Sequence, residues 1–191
     1  MKRVYEEDKT FTGKQFAMQG LPVGEYEGCV FTDCDFSGAD LSSVHFFECR
    51  FERCNLSNAL MKQTVLREVN FVHCKLTGIR FDDCNPFLFS PSFEDCVLQY
   101  ASFYQLKMKQ CRFVRCNASE VDFTEADLTE VVFDATNLAQ AVFEQTNLQK
   151  ADLRTAFNYR INPSTNRVQK AKFAWPQLKG LLGELGIDME E

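Results

Sequence analysis

The chain has no apolar run long enough to cross a bilayer, and Met1 to Lys9 is charged, without the apolar stretch of a secretory leader. Histidine is scarce: only His45 and His73 occur in 191 residues, with no ligand set beside either. An excess of basic charge is also missing. The net charge is −6 at pH 7, which argues against plain binding to nucleic acid or to an anionic membrane. No nucleophile elbow, phosphate-cradling loop, zinc-binding helix or dinucleotide fingerprint can be found. These absences lead to the expectation of a cytoplasmic, non-enzymatic protein with no cofactor and no metal, making no direct contact with nucleic acid or membrane.

What the sequence has is a period of five. From Phe11 to Phe81 every fifth residue is apolar, and the rule resumes two residues out of step at Leu88 and runs to Leu153. A helix repeats near 3.6 and a half-buried strand at 2, so neither explains the pattern. A short fixed repeat points to a solenoid whose units are stable only when stacked. The residue two before each apolar centre is also small or apolar, as at Cys34, Ala39, Val44, Cys54, Ala126 and Ala141. The residue just before the centre is often Asp or Asn, as at Asp35, Asp40, Asn55, Asp122 and Asn137, types that bond nearby backbone at turns. Two of every five side chains therefore point inward, and each unit reads as a short strand and a corner.

Units such as Ala39-Asp40-Leu41, Cys54-Asn55-Leu56, Ala126-Asp127-Leu128 and Ala151-Asp152-Leu153 resemble the pentapeptide-repeat family. The resemblance implies an all-β fold, a right-handed quadrilateral β-helix with 20 residues per coil. Stacking every fourth unit under that assumption sorts the phenylalanines. One face collects Phe11, Phe31, Phe51, Phe71, Phe93, Phe113 and Phe133; another collects Phe81, Phe103, Phe123 and Phe143 below Leu21, Leu41 and Met61. With strand-like spacing between coils, roughly seven coils make a rod of roughly 35 Å.

The whole chain, 1–191, reads as one such domain. Residues 1–10 are expected to be an irregular lead-in or cap, and 11–153 regular coils with a two-residue insertion near 84–91. Residues 154–191 are expected to form a looser last coil and a short helix from Pro176 to Leu185. All nine cysteines occupy inward sites, Cys34, Cys54, Cys74, Cys96 and Cys116 in one column, so they are expected to be reduced packing residues. Near the insertion, Phe87 and Phe89 flank an inward Leu88 and should face outward, with Phe47 on the same face two coils earlier. Either they pack locally around the bulge or they form an apolar contact patch. A run of acids, Glu120, Asp122, Glu125, Asp127, Glu130 and Asp134, precedes a basic end from Arg154 to Lys179. The helix should cover the open edge of the last coil, form a dimer contact, or both. The dimer contact would consist of Trp175, Leu178, Leu181, Leu182, Leu185 and Ile187.

Within the family, the Qnr-type quinolone-resistance proteins are similar in repeat, size, acidic balance and C-terminal apolar helix. That likeness implies a rod-like homodimer joined at the C-terminal segment, with DNA gyrase or topoisomerase IV as the partner of a DNA mimic. The interruption near Pro86 is shorter than the projecting loops of those proteins, and Arg50, Arg53, Lys62 and Arg67 break up the acids. The sequence therefore reads first as a protein-interaction scaffold with an unknown partner, and second as a binder of a type II topoisomerase.

Overall fold

The computed structural model describes residues 3–87 and 89–183. Its strands are short and lie one above another: β1 (Val4–Glu7), β2 (Thr10–Thr12), β3 (Gly24–Glu27), β4 (Val30–Thr32), β5 (His45–Phe47), β6 (Arg50–Glu52) and β7 (Val65–Arg67), then β8 (Asn70–Val72), β9 (Ser92–Glu94), β10 (Arg112–Val114), β11 (Val132–Asp134), β12 (Asp152–Leu153) and β13 (Lys172–Phe173). They form two parallel sheets, β1-β3-β5-β7 and β2-β4-β6-β8-β9-β10-β11-β12-β13. Three further parallel ladders of single bridges complete the circuit: Gln15–Asp35–Asn55–Lys75–Val97–Asn117–Asn137–Phe157, Asp40–Leu60 with Arg80–Ser102–Asp122–Val142, and Lys107–Asp127–Asn147–Arg167, which continues the side of β1-β3-β5-β7. The result is a four-sided parallel β-solenoid of about 8 turns with a short C-terminal helix.

The register is set by the buried centres. Phe31 pairs with Phe51 and Phe51 with Phe71, 20 residues apart, whereas Phe71 pairs with Phe93 across the two-residue insertion. Stacked rings run up the first side: Phe11–Phe31 at 4.9 Å, Phe31–Phe51 at 4.7 Å, Phe71–Phe93 at 5.6 Å and Phe113–Phe133 at 4.9 Å. A second stack, Phe81–Phe103–Phe123–Phe143, meets the first edge-on, for example Phe103 against Phe113 at 88°. Offset stacks and edge-to-face contacts are the arrangements that ring quadrupoles favour, so the two columns lock each other.

Of the lead-in or cap expected over residues 1–10, Val4–Glu7 form the regular strand β1, paired with β3 from Val4↔Gly24 to Glu7↔Glu27. The looser last coil expected after the regular coils is present, with β12 paired to β13. One expectation is corrected: Phe89 does not face outward. It is buried at 6% exposure, edge-on to Phe81 at 6.2 Å. The Asn85 side chain accepts from the Phe87 N–H, and Ser90 N–H donates to Leu66 O, so the longer path between Pro86 and Pro91 delivers Phe89 to the interior. Leu88 lies outside the described residues.

The corners are built differently from the sequence reading. The Asp or Asn before each centre does accept from the N–H two residues on, as in Ser37 N to Asp35 Oδ1 at 2.9 Å and Thr124 N to Asp122 Oδ1 at 2.8 Å. The bend itself falls two residues after the centre, where the backbone is left-handed. Glu48, Arg53, Gln105, Glu125 and Gln145 have φ of 54°, 51°, 58°, 58° and 52°. Left-handed φ disfavours residues with a Cβ, and the coil-to-coil hydrogen bonds must offset that penalty at corner after corner.

Several inward positions two before a centre carry a thiol or hydroxyl, and in these examples it donates to a carbonyl of the preceding coil. Cys54 Sγ donates to Phe31 O at 3.3 Å, Cys74 Sγ to Phe51 O at 3.4 Å, and Thr146 Oγ1 to Phe123 O at 2.8 Å. Thr146→Val keeps the shape and removes the donor from a buried carbonyl. It is expected to lower stability by about 1 kcal/mol in urea titration.

All nine cysteines are buried and free. Burial pushes the Cys49 and Cys111 thiols up from 9.0 to about 12. A thiol whose pKa is raised by folding contributes stability below its unfolded value, and that stability is lost as pH rises above it. Unfolding midpoints are therefore expected to be flat from pH 7 to about 8.5 and to fall above about 9. Native chain should resist alkylation at pH 8, and denatured chain should yield nine reactive thiols. Seven or fewer from freshly prepared protein kept from air would show that disulfides had formed.

Candidate interaction surfaces

The interior is filled by stacked side chains, so chemistry is confined to the outward residues of four sides. Number the sides by their buried centres. Side 1 carries Phe31, Phe51 and Phe113; side 2 carries Phe36, Leu56 and Leu138; side 3 carries Leu41, Phe103 and Phe123; side 4 carries Tyr26, Phe46 and Leu128. The recesses are shallow notches between rungs, one lined by Asp134, Asp152, Arg154 and Thr155, another by Glu48, Glu68, Asn70 and Ser92. Among the described residues, no group of three or more His, Cys, Asp or Glu converges as a metal site would require. No described helix is long and apolar enough to cross a membrane.

The acids singled out in the sequence do not share a surface. They belong to successive units of one coil, so they form a belt: Glu120 on side 2, Asp122 and Glu125 on side 3, Asp127 and Glu130 on side 4, and Asp134 on side 1. Most are engaged. Glu125 accepts from Tyr104 and from Gln105 at 2.8 Å, Glu130 from Lys150 at 2.7 Å and Gln110 at 2.9 Å, and Asp134 from Thr155 at 2.8 Å. Asp127 lies 3.4 Å from Lys109 Nζ. The hydrogen bond from Lys150 holds the Glu130 carboxyl below the usual range.

On side 1 the charges clamp adjacent coils. Arg53 grips Asp33 through Nε at 2.8 Å and Nη2 at 3.1 Å, and Arg115 grips Asp95 at 2.8 and 2.7 Å while reaching Glu94 at 2.6 Å. Arg115 depresses the Asp95 carboxyl pKa.

The aromatic candidates separate. Phe87 is 73% exposed on the insertion, whereas Phe47 is half-buried with the Arg67 guanidinium 4.5 Å above its ring. At the C-terminal end Trp175 is 85% exposed. Leu178 and Leu182 are half-buried, and Leu181 packs on the core. Leu185 and Ile187 lie outside the described residues. Sequence reasoning missed Tyr100 and Tyr104, exposed on neighbouring sides near the middle of the rod, because both stand at outward repeat positions where any residue type is tolerated.

A four-sided solenoid of parallel rungs, with a pentad register and aromatic columns inside, defines the class of this protein. The model of the family described as "Pentapeptide repeat region" matches residues 25–86 and 88–159, and the chain belongs to that family. No curated protein sequence matches at a significant level. Similar solved structures include two trypsin-treated variants of QnrB1, a plasmid-mediated fluoroquinolone resistance protein. One is 17% identical with a TM-score of 0.73, covering 98% of this chain and 92% of its own. The other is 19% identical with a TM-score of 0.66, covering 98% and 100%. HetL, a pentapeptide-repeat protein involved in heterocyst differentiation regulation in the cyanobacterium Nostoc sp. strain PCC 7120, is 16% identical with a TM-score of 0.66, covering 88% and 84%.

Proposed function

We propose that this protein is a non-enzymatic binding scaffold, working in a reducing, cytoplasmic compartment, that presents flat sides to a protein partner. The observation that carries this reading is the filled interior. Its centres, from Phe31 through Phe133, are close to fully buried, and the recesses lined by Asp134, Asp152, Arg154 and Thr155 and by Glu48, Glu68, Asn70 and Ser92 are open notches between rungs. Rigid sides also lose little conformational entropy on binding.

A second reading, a type II topoisomerase as the partner, draws support from side 3. There Asp40, Asp83, Asp122, Glu125 and Glu144 face outward against Lys62 and Arg80, the latter paired at 2.7 Å with the nearly buried Asp82, giving one side a negative field. QnrB1 shares the fold and is a fluoroquinolone resistance protein. Gyrase supercoiling and topoisomerase IV decatenation with purified chain, with and without a fluoroquinolone, separate the two readings. Under the scaffold reading both activities and their drug sensitivity stay unchanged. Under the topoisomerase reading they change, and Asp83→Asn with Asp122→Asn and Glu125→Gln removes the effect. Pairing of two rods through the C-terminal end is a further part of the proposal, supported by the exposed indole of Trp175.

A further inference from the structure

We infer that side 4 is a self-complementary surface that docks a second copy of this chain, antiparallel and side by side. The insertion carrying Phe87 sits at the midpoint of this side. The rungs of β1, β3, β5 and β7 come before it and those of Lys107, Asp127, Asn147 and Arg167 after it. Asn85 N–H donates to Thr64 O as Val65 N–H donates to Val44 O, which places the start of the insertion on side 4.

Outward charge on side 4 reverses sign across this midpoint. Before it stand Glu7, Asp8, Glu25, Glu27, Glu48 and Glu68, with Arg67 as the base. After it stand Lys107, Lys109, Lys150, Arg167 and Lys170, with Asp127 and Glu130 as the acids. Each exception pairs with an opposite charge of its own half, which leaves the first half at a net −5 and the second at +3. Arg67 covers Phe47 and lies 3.8 Å from Glu48, Asp127 lies 3.4 Å from Lys109, and Glu130 lies 2.7 Å from Lys150. Among the described residues no other side has this antisymmetry. Side 1 pairs its charges between neighbouring coils, side 2 carries little charge, and side 3 is acidic.

A face that is negative on one half and positive on the other becomes its own complement when rotated by a two-fold axis normal to it, and a two-fold contact is the usual closed form of self-association. With the axis at the insertion, Glu7 and Asp8 oppose the partner's Arg167 and Lys170. Glu25 and Glu27 oppose the partner's Lys150, and Glu68 opposes the partner's Lys107 and Lys109. Glu48 falls opposite the partner's Asp127 and Glu130, a like-charged contact that the opposite-charge pairs on either side of it must outweigh. Phe87 then lies at the axis against the partner's Phe87, where an exposed ring gains a dry contact. This contact differs from pairing at the C-terminal end and holds whichever protein partner the scaffold has.

Sedimentation equilibrium on the full chain tests it. Dimer is expected at low salt, weakening by at least ~10-fold in association constant between about 20 and 500 mM salt as screening shortens to a few ångströms. Glu7→Lys with Glu25→Lys and Glu68→Lys turns the first half from a net −5 to +1, so that both halves are positive, and Lys107→Glu with Arg167→Glu and Lys170→Glu turns the second half from +3 to −3, so that both are negative. Each variant alone should be monomeric, and the two mixed should form a 1:1 heterodimer. Circular dichroism checks that both fold. As an independent readout on the otherwise unaltered chain, Phe87→Cys should be linked across the axis by a short bis-maleimide, because the native thiols are buried. A chain monomeric at low salt and high micromolar concentration overturns the inference. So does a dimer indifferent to salt and to both variants but lost on Trp175→Glu, which would put the contact at the C-terminal end.

Discussion

Phe113→Ala is expected to lower the stability of the rod by ~3–5 kcal/mol, the range for truncating a fully buried ring. Phe113 has no exposed surface and stacks on Phe93 at 5.0 Å and Phe133 at 4.9 Å, with Phe103 and Phe123 edge-on at 5.8 and 5.9 Å. Removing the ring leaves a void framed by four others. They cannot collapse into it, because each is held in register by its own coil's hydrogen bonds. A solenoid unit touches only its neighbours, so the loss should concentrate at the interfaces above and below Phe113. Guanidinium titration of the variant and the parent measures it. Phe173→Ala at the last strand gives the internal comparison, since that ring is only half-buried and should cost less than half as much. A loss under ~1 kcal/mol for Phe113→Ala would falsify the packing assignment, because a buried phenylalanine is never that cheap to remove.

The columns that give this prediction could be read from the sequence because a period of five repeats the same side-chain role at fixed intervals. Phe93 and Phe113 had to align once the two-residue slip near Pro86 was noticed. Phe89 could not be placed so easily. Inside an insertion the period stops constraining register, and which of two adjacent apolar residues turns inward depends on turn hydrogen bonds such as Asn85 to Phe87.

The corners were partly legible. Asp35 and Asp122 announce them, and Gly38, Asn58, Gly78 and Asp95 are types that accept left-handed φ, but Glu48, Arg53 and Gln105 stand at equivalent corners and have no preference for it. Tertiary hydrogen bonding imposes that conformation. The acidic run misled for a different reason: residues adjacent in sequence turn around the rod, and residues 20 apart become neighbours. Side 4's change of sign is spread from Glu7 to Lys170 and shows only when the chain is wound.

The second large effect is expected at the C-terminal end, from Gly180→Leu. After β13 the chain turns through a 3-10 segment (Trp175–Gln177) into α1 (Lys179–Leu182), which lies over the last coil. Gly180 makes that approach possible. A Cβ there would sit 2.3 Å from Tyr159 O and 2.8 Å from the Tyr159 ring, too close for the backbone to accommodate without lifting the segment. The Ile161 N–H also donates to Gly180 O at 2.9 Å, so lifting breaks a hydrogen bond that ties the lid to the coil beneath. Overpacking and the lost bond together are expected to cost about 2–4 kcal/mol. The loss should be local, because the interior coils keep their stacked neighbours. Hydrogen exchange should quicken around residues 159–173 and stay unchanged around Phe51 and Phe71. Lifting the lid uncovers Tyr159, Phe173 and the free edge of β13, and an uncovered parallel edge recruits other chains. Gly180→Leu should therefore aggregate on warming at concentrations where the parent stays clear, as followed by light scattering. Equal exchange rates at residues 159–173 in variant and parent would mean that α1 does not hold the end of the rod.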